Sequence, residues 1–310
     1  MSRNVLFSRV FYMPVCLSVF YALLLVFTGC NVSSESEGTL PVVAVTVEPH
    51  GNLVERIVGD GVRCVVLVPQ GKDPETYQVT PDKITALSKA KLFFRTGIPA
   101  EESLLPKLQS IAGDLQCIDL RTDLTLRKLE LHHHEGEIRH IHTDALPLQN
   151  TDPHIWFAPS LLKTQALTVL NALKKLLPEK AELLQSNYEK LAAEIENLRL
   201  ELVRQLEPMR GKTVFVFHPA YGYFCDEFGL LQTAIEFEGK TPNPKQIAEV
   251  IETVKRLGGK PVIFVQPEFN QSPAQAVAEA VGGTVAIHSP LERDVLKNIQ
   301  RFADLITQNR

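Results

Sequence analysis

Short apolar runs alternate with amphipathic helical segments along this chain, and the alternation occurs twice. Continuous apolar runs are typical of strands buried on both faces, and strands joined by crossover helices lie parallel in one sheet. The pattern therefore predicts an α/β protein of two lobes, each a small parallel sheet flanked by helices. The predicted strands are 42–47, 62–68, 91–95 and 115–119 in the first lobe and 213–217, 230–235, 261–265 and 284–287 in the second, where helices are predicted near 243–257, 272–281 and 291–307.

A long helical pattern lies between the two lobes. It begins at Pro178, reaches about Leu206 and stops before Pro208, since proline favours the first turn of a helix and interrupts its interior. We predict one backbone helix that packs across both lobes; a short coiled coil with a partner is the alternative. The boundaries are then 41–177 for the N-terminal lobe, 178–207 for the linker helix and 208–310 for the C-terminal lobe. The apolar stripe of this helix consists of Leu184, Tyr188, Leu191, Ile195, Leu198 and Leu202.

The first 29 residues have the pattern of an export signal. Two arginines precede an almost entirely apolar stretch from Val10 to Phe27, and small Gly29 then precedes Cys30. A permanent transmembrane helix is the alternative, because the stretch is close to the minimum length for crossing a bilayer. The following segment, NVSSESEG, is small, polar and acidic, which favours an export signal 1–29 and a flexible tether 30–40. The order Phe27-Thr28-Gly29-Cys30 resembles a bacterial lipobox, which implies lipidation of Cys30.

Composition excludes two broad classes of protein. With 45% hydrophobic and 22% charged residues the chain is not wholly disordered, and a net charge of -4 provides no field that would attract nucleic acid. Outside the signal and Cys30, the remaining cysteines are Cys64, Cys117 and Cys225. Cys64 and Cys117 lie in strand-like apolar runs, so we expect buried thiols, with a Cys64–Cys117 disulfide as the alternative.

Potential metal ligands follow the predicted strands. Glu75 comes in the loop after strand 62–68, His154 in the segment DPHIW, His218 directly after strand 213–217 and His288 after the last strand. Ligands of parallel α/β sheets bind outside the carboxyl ends of the strands. Imidazole and carboxylate groups are normal zinc ligands. These side chains are therefore candidate ligand-binding residues at the strand ends, with His50, after the first strand, as an outside candidate.

Three segments resemble one known family. The loop GKDPETY, the segment DPHIWFAP and the segment HPAYGYFCDEFGL, in this order and with the lipobox, resemble the ZnuA/TroA-like metal-binding lipoproteins that serve ABC importers. The resemblance implies two α/β lobes joined by one long backbone helix, with one Zn²⁺ or Mn²⁺ in the interlobe cleft. It also implies a monomeric binding protein, lipid-anchored to the membrane at its extracytoplasmic face or in the periplasm, which delivers the metal to an ABC permease.

Position by position, His154 and His218 match metal ligands of that family. The first ligand departs from the pattern, because Asp73-Pro74-Glu75 stands where the family usually has Asp-Pro-His. The fourth ligand of the family is commonly an aspartate just before Pro-Leu, and Ser289 stands at that position here. The neighbouring His288 is therefore the expected fourth ligand. The predicted site is Glu75, His154, His218 and His288, with Ser289, Glu268 or water as alternatives at the fourth position. We expect zinc, with Mn²⁺ and Fe²⁺ as alternatives that also suit carboxylate and imidazole.

A histidine-rich segment, HHHEGEIRHIH, interrupts the α/β pattern at residues 132–142. Such tracts bind metal weakly and pass it on, and zinc-carrying members of the resembled family often have one before the Asp-Pro-His segment. A solvated loop with no role is the alternative. The histidines of this predicted auxiliary metal loop are His132, His133, His134, His140 and His142.

Two other classes of function compete with a metal-binding transport protein. A secreted zinc hydrolase is one, since three protein ligands and a water also describe a catalytic zinc site. The chain contains no HExxH, GxSxG, GxxxxGK[ST] or GxGxxG motif, so we predict that it is not an enzyme. A surface adhesin with a structural or lost metal site is the other alternative, favoured by the departures at Glu75 and Ser289.

Overall fold

Runs rich in valine, isoleucine and phenylalanine form two four-stranded sheets in the computed structural model, which describes residues 40–128, 151–236, 241–258 and 260–308. Every strand pair in both sheets is parallel, so the predicted two-lobed α/β class is confirmed. The first lobe contains β1 (Val42–Val45), β2 (Arg63–Val66), β3 (Ala90–Arg95) and β4 (Gln116–Asp119); the second contains β5 (Thr213–Val216), β6 (Leu231–Ala234), β7 (Val262–Val265) and β8 (Thr284–Ile287).

The two sheets have the same strand order. The first runs β2-β1-β3-β4 and the second β6-β5-β7-β8, so in each lobe the first strand lies inside the sheet and the chain crosses over it. Such parallel connections place the carboxyl ends of all four strands at one edge of the sheet. The loops that carry Glu75, His218 and His288 all start at these edges.

Local signals fix most helix ends. Proline stands in the first turn of several helices, and Asn243 and Gln246 form a reciprocal capping box at one of them. Gly229 and Gly282 end two helices in the left-handed conformation. The helices of the described residues are α1 (Glu48–Val58), α2 (Pro81–Leu87), α3 (Pro99–Ile111), α4 (Pro159–Leu176), α5 (Ala181–Leu206), α6 (Gly222–Phe228), α7 (Pro244–Leu257), α8 (Ser272–Val281) and α9 (Val295–Gln308).

The predicted linker helix is α5. It spans 26 residues and follows a short 3-10 turn at Pro178–Lys180. Its stripe is buried at Leu184, Leu191, Ile195 and Leu202, while Tyr188 and Leu198 pack against the same core. α5 packs on α4, on α1 of the first lobe and on α9 at the end of the second. The long helix therefore contacts both lobes, as its periodicity predicted.

Among the described residues, three hydrophobic clusters stabilise the fold. One covers the outer face of the first sheet around Phe93 and another the outer face of the second around Phe215. The third is shared: it contains residues of both sheets, the stripe of α5 and the aromatic ring of Trp156. Residues Leu40–Arg310 form one compact unit, because apolar surface of both lobes is buried in this common cluster.

No disulfide bond is formed by the cysteines of the described residues. Cys64 lies on β2 and Cys117 on β4, at opposite edges of the first sheet, and both are partly buried, whereas Cys225 is buried. Three strand spacings separate β2 from β4, about 14 Å, whereas the Cα atoms of a disulfide lie within roughly 7 Å. The alternative of a Cys64–Cys117 disulfide is therefore wrong.

Several predictions fall on residues outside the described ranges. They concern the export signal 1–29, Cys30 with most of the tether, and the histidine-rich segment 132–142. Within the ranges that are described, no helix combines the length and the apolar character needed to span a membrane.

Candidate metal site

Glu75 is positioned by a turn in the loop after β2. The Asp73 carboxylate accepts hydrogen bonds from the backbone N of Glu75 (2.9 Å) and from the Thr76 hydroxyl (2.7 Å). An aspartate that bonds the backbone two residues later is a common way to fix a turn. Asp73 therefore shapes the loop, and the partly exposed Glu75 side chain is left to reach the space between the lobes.

His154 is oriented by the residue two positions before it. One carboxylate oxygen of Asp152, Oδ1, accepts from the His154 backbone N at 2.9 Å and from its ring Nδ1 at 2.7 Å. A proton held on Nδ1 leaves Nε2 as the free lone pair. The following 3-10 turn, Ile155–Phe157, buries Trp156, whose indole N–H donates to the Pro290 carbonyl of the second lobe at 2.9 Å.

His218 follows β5 and is held on several sides. Its ring Nδ1 lies 2.8 Å from Oε1 of Glu236, a carboxylate that comes just after the neighbouring strand β6. Gln266, at the end of β7, accepts from the His218 backbone N and donates to its carbonyl. Phe269 stacks on the imidazole, with ring centroids 5.2 Å apart. These contacts leave Nε2 of His218 as the atom directed away from the sheet.

The structure brings Glu75, His154 and His218 together. The two Nε2 atoms lie 3.2 Å apart, and Nε2 of His218 is 3.7 Å from Oε1 of Glu75. One potential ligand atom from each residue lies within 4.8 Å of the others. Both histidines are only 5% exposed. Two imidazoles and one carboxylate in this arrangement can bind a single divalent transition metal ion.

The carboxylates around His154 and His218 favour a positive charge between the two imidazole rings. Burial lowers the pKa of His218, but its hydrogen bond to Glu236 and the charges of Glu236, Glu75 and Asp73 raise that pKa to about 9. Burial raises the pKa of Asp152, yet the charge and hydrogen bonds of His154 and the charge of Arg127 bring it below its usual value. A cavity that stabilises a proton in this way also stabilises a cation.

His288, the fourth predicted ligand, does not join the other three. Its ring is fully buried beside Phe157 and Phe302, with Nδ1 at 3.1 Å from the Tyr221 hydroxyl and Nε2 at 3.4 Å from the Asn298 carbonyl. Successive side chains in extended backbone point to opposite sides, so His288 turns into the second lobe while Ser289 turns away. Burial, with a smaller contribution from Arg301, lowers the pKa of His288 to about 4.

The two alternatives for the fourth position contact each other. The Ser289 hydroxyl donates to Oε1 of Glu268 at 3.1 Å. Burial raises the pKa of Glu268, and the negative charge of Asp73 acts in the same direction. Neither residue belongs to the group formed by Glu75, His154 and His218.

His50, the outside candidate, lies behind the site. It is fully buried, its Nε2 is 2.8 Å from Oε1 of Gln165, and its ring meets the edge of Trp156. Gln165 in turn donates to the carbonyl of Ile155. His50 thus supports the turn that follows His154 and takes no position among the three grouped residues.

Two carboxylates of the site were missed by sequence reasoning. Asp152 lies within the segment DPHIW, but the sequence does not predict its hydrogen bonds to His154. Glu236 is absent from the predicted ligands, although it directly follows the predicted strand 230–235, just as His218 directly follows 213–217. Applying the strand-end rule to every strand would have included Glu236.

The described residues on either side of 129–150 lie beside this site. Lys128 and Thr151 form an antiparallel bridge, and the Asp152 backbone N donates to the Arg127 carbonyl at 3.0 Å. These backbone contacts fix the position of Asp152, which orients His154.

Two parallel-sheet lobes around a long helix, with imidazole and carboxylate groups converging between them, define the class of two-lobed metal-binding proteins. Residues 43–310 match the family model described as "Zinc-uptake complex component A periplasmic". The chain belongs to this family, whose members are substrate-binding components of transport systems and not enzymes.

Known proteins agree with this assignment. The "High-affinity zinc uptake system protein ZnuA" of Yersinia pestis is 26% identical over 281 residues, which cover 86% of this chain and 88% of that protein. The "Manganese-binding lipoprotein MntA" of Halalkalibacterium halodurans is 25% identical over 287 residues, covering 88% of this chain and 87% of that protein. A crystal structure of ZnuA is 31% identical, with a TM-score of 0.78, and covers 87% of this chain and 99% of that one.

Proposed function

We propose that this protein is an extracytoplasmic substrate-binding lipoprotein that captures a divalent transition metal ion, with zinc favoured, and delivers it to the permease of an ABC importer. The observation that carries the proposal is the convergence of Glu75, His154 and His218. Membership of a family of substrate-binding transport components supports the role in import. In this proposal the metal is the transported cargo, and the protein acts as a monomer.

The proposed ligands are Nε2 of His154, Nε2 of His218 and a carboxylate oxygen of Glu75. The carboxylates of Asp152 and Glu236 on the opposite ring nitrogens support this choice, because metal-bound histidines usually donate their other N–H to such a group. Three protein ligands leave a tetrahedral ion one position for water. We propose that Glu268 competes with water for this fourth position. His288 is not proposed as a ligand, because its side chain faces the interior of the second lobe.

Zinc is the proposed cargo, and Mn²⁺ and Fe²⁺ are the competing ones. Two imidazoles and one carboxylate are a common zinc set, and the Yersinia pestis relative is named for zinc uptake. The carboxylate at position 75 adds a hard oxygen ligand, which suits manganese, the metal in the name of the Halalkalibacterium halodurans relative. Competition among the three ions for the purified protein decides between them.

The proposed location rests on the N-terminal sequence. Residues 1–29 act as the export signal and the lipid on Cys30 holds the mature protein at the extracytoplasmic face of the membrane or in the periplasm. Mass spectrometry of the mature N-terminus tests this proposal. A Cys30→Ser variant is expected to be absent from the membrane fraction, and an unmodified Cys30 in membrane-bound protein would contradict lipidation.

The test of the metal site is a titration in which Zn²⁺ competes with a chelator of known affinity. Because the histidine-rich segment can bind metal on its own, the titration is made with and without residues 132–142. We expect each of the variants Glu75→Ala, His154→Ala and His218→Ala to weaken Zn²⁺ binding by at least about 100-fold, since each loses a direct ligand. His288→Gln is the matched control and should bind Zn²⁺ nearly as tightly as the unmodified protein.

One result would favour the adhesin alternative. If the Glu75→Ala/His154→Ala double variant without residues 132–142 still bound Zn²⁺ as tightly as the unmodified protein, these residues would not be the ligands. The same deletion tests the proposed auxiliary role of the segment. Loss of weak additional Zn²⁺ sites without a change at the tight site is expected if the histidine-rich segment collects metal.

A further inference from the structure

Arg127 is a buried cation at the junction of the two lobes. Its side chain is 8% exposed, and it directly precedes Lys128, which forms an antiparallel bridge with Thr151. A buried guanidinium requires compensating charge and hydrogen bonds from its surroundings. The groups that compensate the charge of Arg127 come from both lobes. In each lobe they lie next to a proposed metal ligand, His154 in the first and His218 in the second.

On the side of the first lobe, Arg127 shares a carboxylate with His154. Nη1 of Arg127 lies 3.3 Å from Oδ2 of Asp152. The other oxygen of the same carboxylate accepts from the backbone and the ring of His154. The same carboxylate therefore connects the guanidinium of Arg127 to the imidazole of His154.

On the side of the second lobe, Arg127 contacts α6. Its Nε lies 3.1 Å from Oδ2 of Asp226. Its backbone N donates to the hydroxyl of Tyr223 at 3.2 Å, and that hydroxyl donates to the Asp152 carbonyl at 2.9 Å. Helix α6 begins at Gly222, four residues after His218. One arginine therefore joins the segment that carries His154 to the segment that follows His218.

Gly222 makes room for this guanidinium. A Cβ atom at position 222 would overlap Nη1 of Arg127. The glycine thus lets the first turn of α6 approach the arginine closely, which places Asp226, one turn later on the same helix face, against Nε.

We propose that Arg127 is a positioning residue of the metal site. It holds Asp152 and α6 in one arrangement and thereby keeps Nε2 of His154 and Nε2 of His218 at the spacing that one metal ion bridges. The inference rests on the proposed function, since it assigns a role toward that same site. Arg127 itself does not touch the metal.

The test compares Arg127→Met with a control arginine in the full chain. Arg121 is the control because it is as buried as Arg127, binds the Asp119 carboxylate through Nε and Nη2, and also packs against a glycine, Gly97. Loss of groups that orient metal ligands typically costs 10- to 100-fold in affinity. We expect Arg127→Met to weaken Zn²⁺ binding by about that factor, and Arg121→Met to leave it within about twofold of the unmodified protein.

A spectroscopic measurement separates positioning from general stability. Co²⁺ bound in place of Zn²⁺ is expected to show altered visible bands in Arg127→Met and unaltered bands in Arg121→Met. Arg127→Lys restores the charge but not the planar fork that reaches Asp152 and Asp226 together, so it should recover only part of the affinity. Equal affinity and equal Co²⁺ spectra for Arg127→Met and the unmodified protein would overturn the proposal.

Two further variants apply if Arg127→Met does not fold. Asp226→Asn removes the charge on the second lobe, and Gly222→Ala displaces the guanidinium, while both leave Arg127 and Asp152 in the chain. Each is expected to weaken Zn²⁺ binding at least about tenfold; unchanged affinity in both would overturn the positioning role. If the unmodified protein does not bind Zn²⁺, Mn²⁺ or Fe²⁺ tightly, the proposed function fails. If the unmodified protein and the variants bind the metal equally tightly, only the positioning role of Arg127 fails.

Discussion

At the scale of single residues, the candidate site is built from two carboxylate–histidine pairs. Asp152 bonds Nδ1 of His154 and Glu236 bonds Nδ1 of His218, so the two Nε2 atoms face each other at 3.2 Å. A hydrogen bond at this distance requires a proton on one of them. With a pKa of about 9, His218 carries that proton near neutral pH, and its Nε2–H donates a hydrogen bond to Nε2 of His154. The metal-free site therefore holds a proton where the metal is proposed to bind.

This arrangement predicts proton release on metal binding. At pH 7.5 His218 is protonated, because its pKa is about 9, and Zn²⁺ must displace the proton to reach Nε2. We expect about one proton per Zn²⁺ from His218 at pH 7.5, and an affinity that increases as pH rises toward 9. Isothermal titration calorimetry in buffers of different ionisation enthalpy measures the number released.

The control for proton release is Glu236→Gln. Without the carboxylate, the pKa of His218 loses the two largest influences that raise it, so fewer protons should be released at pH 7.5. Absence of any release by the unmodified protein would show that His218 is neutral in the metal-free state, contrary to the expected result.

Part of this site could be predicted from the sequence because its residues occupy recognisable positions along the chain. Glu75, His154 and His218 follow predicted strands or match a motif, and parallel sheets bring such positions together. The direction of a side chain cannot be read in the same way. His288 and Ser289 are neighbours, and only the packing of His288 against Tyr221 and Phe302 decides which side each takes. Glu236 pairs with His218 through the strand order β6-β5, which the sequence does not state.

At the scale of elements, α5 was the most predictable part of the fold. A stripe repeated at intervals of three and four residues has one packed face whatever it packs against, so the helix could be placed almost to the residue. The packing partner could not be read from the stripe. The structure shows the same face buried against α1, α4 and α9 of its own chain, so a coiled-coil partner is not needed to cover it.

The two faces of α5 predict different costs of truncation. Leu191 is 1% exposed in the shared core, whereas Leu200 is 44% exposed on the same helix. We expect Leu191→Ala to lower the free energy of unfolding by about 2–5 kcal/mol, because it leaves a cavity in packed surroundings. Leu200→Ala should change it by no more than about 0.5 kcal/mol. Urea denaturation of the metal-free protein measures both, and equal effects would contradict the assigned faces.

At the scale of the whole molecule, two buried histidines flank the turn Ile155–Phe157, which contacts the second lobe through Trp156. The ring of His50 meets Trp156 and the ring of His288 meets Phe157, with centroid distances of 5.7 Å in both cases. Trp156 in turn bonds the Pro290 carbonyl of the second lobe. Burial lowers the pKa of each histidine from 6.5 to about 4, so both are neutral in the folded protein near neutral pH.

These histidines predict a loss of stability in mild acid. Between pH 6.5 and 4 the unfolded chain binds protons at His50 and His288 while the folded protein does not, so the free energy of unfolding falls as pH falls. For His50 alone we expect a decrease of about 2 kcal/mol between pH 7.5 and pH 5.0, from the difference between its folded and unfolded pKa values. Urea denaturation of the metal-free protein at the two pH values measures the decrease.

The variant His50→Gln isolates this contribution. Glutamine is uncharged at both pH values and can still bond Gln165, so the variant should lose about 2 kcal/mol less than the unmodified protein over the same interval. The buried carboxyl of Glu101, whose pKa is raised by burial, and the imidazole of His218, whose pKa is raised to about 9, act in the opposite direction but are present in both proteins. Their effects therefore cancel in the comparison. An equal decrease in the two proteins would mean that His50 takes up its proton without unfolding, which would contradict its burial as a neutral side chain that supports the turn Ile155–Phe157.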